Sequence, residues 1–293
     1  VKPAPFAYSR PTTLDEALDA LASDPHAKVL AGGQSLVPLL SMRLASPSLL
    51  VDINGLAELA TVRADEDGVR VGALARHAQV ETDPGVRRTQ PLVARALRLV
   101  AHPTIRNRGT TVGSLVHADA AAEMPAVLLL LDGALTVLSG EGEREIPAAD
   151  LVVGPLESSL RAGELAVSAH FPALQKGFGI ACDEVARRHG DYAVCGVAAL
   201  VGIDESRQVT SARTSYWSMG DVPIAVDLSE AFSAGEPSED ALDAAADLAL
   251  TRLDPAADIH ASAAYRAQLG RVLTRRVLRA AYDDAVARHE EDR

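Results

Sequence analysis

"LAGGQSLVPLL", residues 30–40, places two adjacent glycines between two apolar runs. Upstream, Lys28–Ala31 reads as a short buried strand. Downstream, Ser35 stands where a helix N-cap belongs. Pro38 falls in the first turn of a helix expected over Leu36–Leu44. Glycines in such a turn let the backbone approach a ligand closely, and the helix start adds partial positive charge. An ordinary tight strand-to-helix turn would use the same residues. The stretch is not a G-x-G-x-x-G fingerprint, and no G-K-[ST] follows it.

Working outward, Thr13 and Glu16 fit a capping box ahead of the stripe Leu14, Ala17, Leu18, Leu21. Leu49–Ile53 reads as a second strand. The first ~55 residues therefore read as helix, strand, helix, strand, a small parallel unit. The pattern then changes. "ATVRADEDGVRVG" alternates around Asp67-Gly68, as a β-hairpin does. A helix is expected at about Pro91–Val100, a glycine-rich loop at Asn107–Ser114, and an all-round apolar, buried helix in "EMPAVLLLLDG". "LTVLSGEGEREIP" reads as a second hairpin, and Glu164–Phe171 as a strand. "PALQKGFG", residues 172–179, marks a domain boundary. Two strands, Tyr192–Val201 and Val209–Trp217, follow it. Two alanine-rich helices, Glu239–Leu250 and Ala261–Ala287, and a solvated tail "HEEDR" complete the chain.

The fold class is thus α+β. A two-part N-terminal domain, residues 1–175 with subdomains about 1–55 and 56–175, precedes a sheet-plus-helices domain, 176–293. The chain has 293 residues, 48% of them hydrophobic, and a net charge of -12. That balance argues against nucleic acid or anionic membranes as partners, so any anion must be held locally. Two cysteines without C-x-x-C spacing cannot ligate an iron–sulfur cluster or a structural zinc unaided. No apolar run reaches the ~18 residues of a membrane span, and no signal-peptide core is visible, so a cytoplasmic location is expected.

Two further stretches carry chemistry. In "HPTIRNRGTTVGSLVHADAAAEMPAVL", residues 102–128, the small and hydroxyl residues Gly109, Thr110, Thr111, Gly113 and Ser114 precede a helix. Asp119 and Glu123 can accept hydrogen bonds from a ribose or adenine, or simply balance a helix dipole. Arg106 and Arg108 read most simply as surface partners of acids. In "ARRHGDYAVCGVAAL", residues 186–200, Arg187, Arg188 and His189 form a basic knot, and His189–Tyr192 a turn before a buried strand. Cys195 reads as a small core residue.

These three stretches, in this order, resemble the FAD-binding medium subunits of the molybdenum hydroxylases, such as those of aerobic carbon monoxide dehydrogenase and xanthine dehydrogenase. The family signatures are A-G-G-H/Q-S, T-I/V-G-G and R-R-x-G-D-Y/F-A, and the likeness covers almost the whole chain. The resemblance implies FAD between the N- and C-terminal domains. It places Val29, Leu30, Ala31, Gly32, Gly33, Gln34, Ser35 and Leu36, with Ala101, Thr110, Thr111, Gly113, Ser114, His117, Asp119, Glu123, Leu165 and Tyr192, at the cofactor. It assigns no catalytic residue and no metal to this chain. It implies a large molybdopterin-binding subunit and a small iron–sulfur subunit as partners, in a dimer of heterotrimers. Electrons would enter from the partner's clusters and leave to an external acceptor. A stand-alone flavin oxidase or reductase and a scaffold that has lost FAD are the competing readings. Three positions depart from the family pattern: Ser114 replaces the second glycine of T-x-G-G, Glu123 replaces a common Asp, and His117 a common Asn. A positive φ at Ser114 would cost on the order of 1 kcal/mol. Arg106, Arg187 and Arg188 are expected either to meet a partner or to pair with Asp183, Glu184 and Asp191.

Overall fold

The structure is a computed structural model and describes residues 2–232 and 236–291. The first unit holds β1 (Ala7–Ser9), α1 (Leu14–Ser23), β2 (Lys28–Leu30), α2 (Leu36–Met42) and β3 (Leu49–Asp52). Its sheet has the order β1-β3-β2, parallel throughout. The sequence pattern missed β1, whose three residues are mostly exposed and show no alternation. At the start of α1 the Thr13 side chain accepts from Glu16 N, as expected. The Glu16 carboxylate, however, accepts from the backbone N–H and hydroxyl of Thr12, one residue earlier than a capping box requires.

The second unit contains β4 (Val62–Ala64), β5 (Gly68–Gly72), α3 (His77–Thr82), α4 (Pro84–Thr89), α5 (Pro91–Leu97), α6 (Pro103–Arg106), α7 (Thr111–His117) and α8 (Glu123–Leu130). After these come β6 (Ala134–Ser139), β7 (Gly142–Pro147), the two-stranded β8 (Val152–Gly154) and β9 (Glu157–Ser158), and β10 (Leu165–Pro172). Five strands pair antiparallel in the order β4-β5-β10-β6-β7. Both expected hairpins, β4-β5 and β6-β7, are present.

The third unit is an antiparallel sheet of β11 (Phe178–Ala186), β12 (Ala193–Ile203), β13 (Val209–Trp217) and β14 (Ile224–Asp227), in that order, with α10 (Ala263–Glu291) packed on it and α9 (Glu239–Leu250) packed on α10. Strands β11 and β14 were not expected. In β11 the adjacent acids Asp183 and Glu184 break the apolar signal, although both find tertiary partners. Asp183 meets Arg276 at 2.7 Å, and Glu184 accepts from Trp217 Nε1 at 3.0 Å. The expected tail is helical through Glu291; the last two residues lie outside the described ones.

The all-round apolar character of α8 has a tertiary cause. It packs on α5 and α7 on one side and on β12, β13 and β14 on the other. One buried cluster accordingly runs from Ala17 through Leu128 and Leu130 to Ile180, Ala198 and Trp217. Two polar clasps reinforce the seam. Arg213 grips Asp132 through two bonds of 2.6 and 2.9 Å. Asp284 of α10 binds Arg95 of α5 and the N–H of Ile180.

Candidate functional site

The two glycine-rich stretches come from different units, and the fold brings them into contact. A Cβ built on Gly32 would lie 2.5 Å from the carbonyl oxygen of Arg108 and 2.8 Å from Gly109 Cα. The side of Gly32 on which a Cβ would stand therefore admits the other loop. Gly33 has φ +73, a left-handed turn that aims the following N–H groups. Among the described residues, no acceptor meets the backbone N–H groups of Gly32, Gly33, Gln34, Ser35 and Leu36. Ser35 occupies the N-cap position of α2 but makes no capping bond, so the expected cap is absent. Gln34 donates to Gly32 O at 3.3 Å. Val29 and Leu30 lie in β2 against Val51 and Asp52.

The second loop is shorter than the sequence pattern implied, because Thr111–His117 is helix α7. Thr110 caps it, its hydroxyl accepting from Gly113 N at 3.2 Å. The hydroxyl of Thr111, fully buried, shares a 3.2 Å hydrogen bond with His77 Nδ1. Both threonine side chains are thus committed inside the protein. What this loop offers a ligand is backbone and Ser114; the N–H of Val112 has no acceptor among the described residues. Ser114 is helical and not among the residues with positive φ, so the feared strain does not arise. Left-handed backbone occurs instead at Ala101 (φ 45) and Ala118 (φ 55). Burial, with Arg106 nearby, lowers the His77 imidazole to about 4, which keeps it neutral beneath the loop.

Sequence reasoning missed the residues that join the loops. Arg76 donates from Nη1 to Arg108 O (2.6 Å) and from Nη2 to Asn54 Oδ1 (2.7 Å). Asn54 Nδ2 in turn reaches Ala31 O (2.8 Å) and Asp52 Oδ1 (2.6 Å), and Tyr8 donates to Asp52 Oδ2 (2.6 Å). Burial alone would raise the Asp52 carboxyl, but these hydrogen bonds outweigh it and hold the group low. None of these residues sits in a recognisable motif.

At the seam with the third unit, Asp119 accepts from Ala121 N, and Glu123 opens α8. Glu123 is 9% exposed. Burial, then Glu184 and Asp119, push its carboxyl up to about 8, so it is protonated at neutral pH and can donate as well as accept. Burial and Asp183 push Glu184 to about 7 against the Trp217 hydrogen bond. His117 is lowered by burial, opposed by Asp119. The Tyr192 phenol is raised by desolvation and by the acids Asp119 and Glu123, although the side chain is largely exposed. The turn bearing it also packs Gly190 onto the His102 ring. Leu165 does not join this group at the surface; its side chain lies in the sheet core.

Of the three arginines considered for docking, Arg106 pairs with Glu81 at 2.8 Å in a largely buried site, and Arg187 meets His260 Nδ1 at 3.1 Å. Neither uses the acids the sequence suggested. Arg188 is exposed and forms no ion pair among the described residues. A cavity of about 340 Å³ lined by Arg207, Arg279, Tyr282 and Glu290 lies along α10, away from the loops.

The raised Glu123 pKa sets a pH dependence. A carboxyl raised on folding contributes fully below its unfolded pKa and loses that contribution as pH rises toward its folded pKa. From about pH 6 to pH 8 the loss is on the order of 2–3 kcal/mol. Melting temperature should fall across this window, and Glu123→Gln should reduce the slope. Some slope should remain, because Glu184 titrates there too. An unchanged slope in the variant would remove Glu123 from this role.

A family model described as "FAD binding domain in molybdopterin dehydrogenase" matches residues 4–174, and one described as "CO dehydrogenase flavoprotein C-terminal domain" matches 180–281. The chain belongs to the FAD-binding medium subunits of the molybdenum hydroxylases. It is 44% identical over 280 residues to the 6-hydroxypseudooxynicotine dehydrogenase complex subunit alpha of Paenarthrobacter nicotinovorans, covering 95% of each chain. It is 41% identical to the caffeine dehydrogenase subunit beta of Pseudomonas sp. (strain CBB1), covering 98% of each. Among solved structures, a chain of quinoline 2-oxidoreductase from Pseudomonas putida 86 superposes with a TM-score of 0.91 at 36% identity, over 97% of this chain and 99% of that one. FAD is the cofactor of this medium subunit. The unpartnered N–H run at the junction of two loops suits a pyrophosphate, so the residues present fit the group. No helix among the described residues is long and apolar enough to cross a membrane.

Proposed function

We propose that this medium subunit carries FAD as the electron-transfer station of a cytoplasmic, multi-subunit molybdenum hydroxylase. In this reading Gly32–Leu36, Val112 and Ser114 receive the pyrophosphate. Asp119, Glu123 and His117 lie on the ribose and adenine side, and Tyr192 lies beside the flavin. The domain division falls at 175/176, between β10 and β11. The observation that carries the reading is the run of five consecutive backbone donors without acceptors, set where two loops of different units meet. Bound FAD takes electrons singly and releases them as a pair. The residues of this chain bind it, orient it and exclude water; none is assigned to substrate chemistry.

Electrons would come from the clusters of a small iron–sulfur subunit, and substrate would be oxidised on a large molybdopterin subunit, in a dimer of heterotrimers. The relatives are themselves subunits by name, which favours a complex over a stand-alone enzyme. The ordinary helical backbone at Ser114 removes the one feature that favoured a scaffold without FAD. Relatives and structures named for nicotine, its derivative, caffeine and quinoline match at 36–44% identity, and those named for glyceraldehyde, carbon monoxide and xanthine at 28–32%. The names in the 36–44% range support an N-heterocycle as the substrate of the complex.

The purified chain should absorb near ~450 nm, and denaturation should release all colour into the supernatant, since FAD is held non-covalently. Two further subunits should co-purify from the native source. A colourless chain, or colour retained by the precipitate, contradicts the proposal.

A further inference from the structure

We infer that Arg76 is a positioning residue of the FAD site, whose forked guanidinium locks the two glycine loops at the spacing that presents their N–H groups to one pyrophosphate. The inference rests on the FAD reading above. The loops belong to different units, and the sequence separating Gly32 from Gly109 does not fix their distance. Their direct contact is the backbone approach of Gly32 to Arg108 and Gly109. Arg76 spans this junction. One guanidinium nitrogen holds Arg108 O at 2.6 Å, and the other holds Asn54 Oδ1 at 2.7 Å. Asn54 passes the constraint to Ala31 O at 2.8 Å, and the Tyr8–Asp52 pair anchors Asn54. The backbone of Arg76 also bridges to Thr110, the cap of the second loop.

A planar fork can serve two acceptors in fixed directions, whereas a lysine ammonium on a flexible stem cannot reproduce that geometry. The charge belongs to the same argument. Among the described residues Arg76 and Arg108 form no ion pair, in a chain of net charge -12. Asp52, the acid closest in this network, is engaged by Tyr8 and Asn54. A partly buried arginine without a carboxylate, next to a second arginine, leaves positive charge where a dianion would be received.

The test uses the apo form of the full chain, titrated with FAD by flavin fluorescence and with ADP and adenosine by competition. Arg76→Lys keeps the charge and loses the fork; Asn54→Ala keeps Arg76 and removes its acceptor. Each should raise the FAD Kd about tenfold or more, and the double variant should be little worse than the weaker single one. ADP, which carries a pyrophosphate, should lose affinity by a similar factor, whereas adenosine should keep its affinity. The melting temperature of the apo chain should hold. Wild-type FAD affinity in Arg76→Lys overturns the inference. Equal loss of adenosine binding overturns it too, because that marks a fold-wide effect. If Arg76→Lys does not fold, an unchanged FAD Kd in Asn54→Ala overturns it alone. A wild-type chain that binds no FAD would instead defeat the underlying reading.

Discussion

Gly32→Ala is expected to weaken FAD binding by a hundredfold or more while the chain still folds. The added methyl would sit 2.5 Å from Arg108 O and 2.8 Å from Gly109 Cα, both backbone atoms that cannot rotate away. The two loops must part. Parting them misaligns the donors of Gly32–Leu36 relative to α7. Loss of two charge-assisted hydrogen bonds, at roughly 1.5–3 kcal/mol each, accounts for the factor. Gly33→Ala should be milder. Its Cβ would meet only the side-chain methyls of Leu30 and Val37 at 3.2 Å, and the left-handed φ costs on the order of 1–2 kcal/mol. Equilibrium titration of apo protein separates the two. Near-normal affinity in Gly32→Ala would mean that the loops need not touch for FAD to bind.

Gly196→Ala should destabilise the third unit by roughly 3–5 kcal/mol, the range for losing a well-packed tryptophan. Gly196 and Trp217 are cross-strand partners in β12 and β13. The indole occupies the space beside the glycine, so a Cβ there would fall 1.8 Å from Trp217 Cε2. Trp217 is fully buried and donates to Glu184, so displacing the indole disturbs a close-packed core and a hydrogen bond together. The midpoint of thermal unfolding should drop by about 10 °C or more. Combining Gly196→Ala with Trp217→Leu should cost less than the sum of the single changes, because the second removes the clash. Full additivity, or a midpoint within a degree of wild type, would show that the indole moves freely.

What the sequence by itself determined lies in local patterns. The strands read at Tyr192–Val201 and Val209–Trp217 fall on β12 and β13, Asp67-Gly68 marked the β4-β5 hairpin, and the alanine-rich helix read at Glu239–Leu250 is α9 at the observed limits. The strand–Gly-Gly–helix order of residues 28–42 and the hydroxyl-rich start of α7 marked the two loops. Strands β1, β11 and β14 escaped. Two are very short, and β11 carries acids whose partners, Arg276 and Trp217, lie 93 and 33 residues away. Tertiary structure alone decided the rest. It set Gly32 against the second loop, committed Thr110 and Thr111 to the protein interior, and took Arg106 to Glu81. It also raised Glu123 by burying it against Glu184, and recruited Arg76, Asn54 and Asp52 to the site. Periodicity and turn chemistry record what a residue needs from its nearest neighbours along the chain. A guanidinium that bridges residues 22 and 32 positions away answers to packing between separate units, and no local pattern encodes that distance.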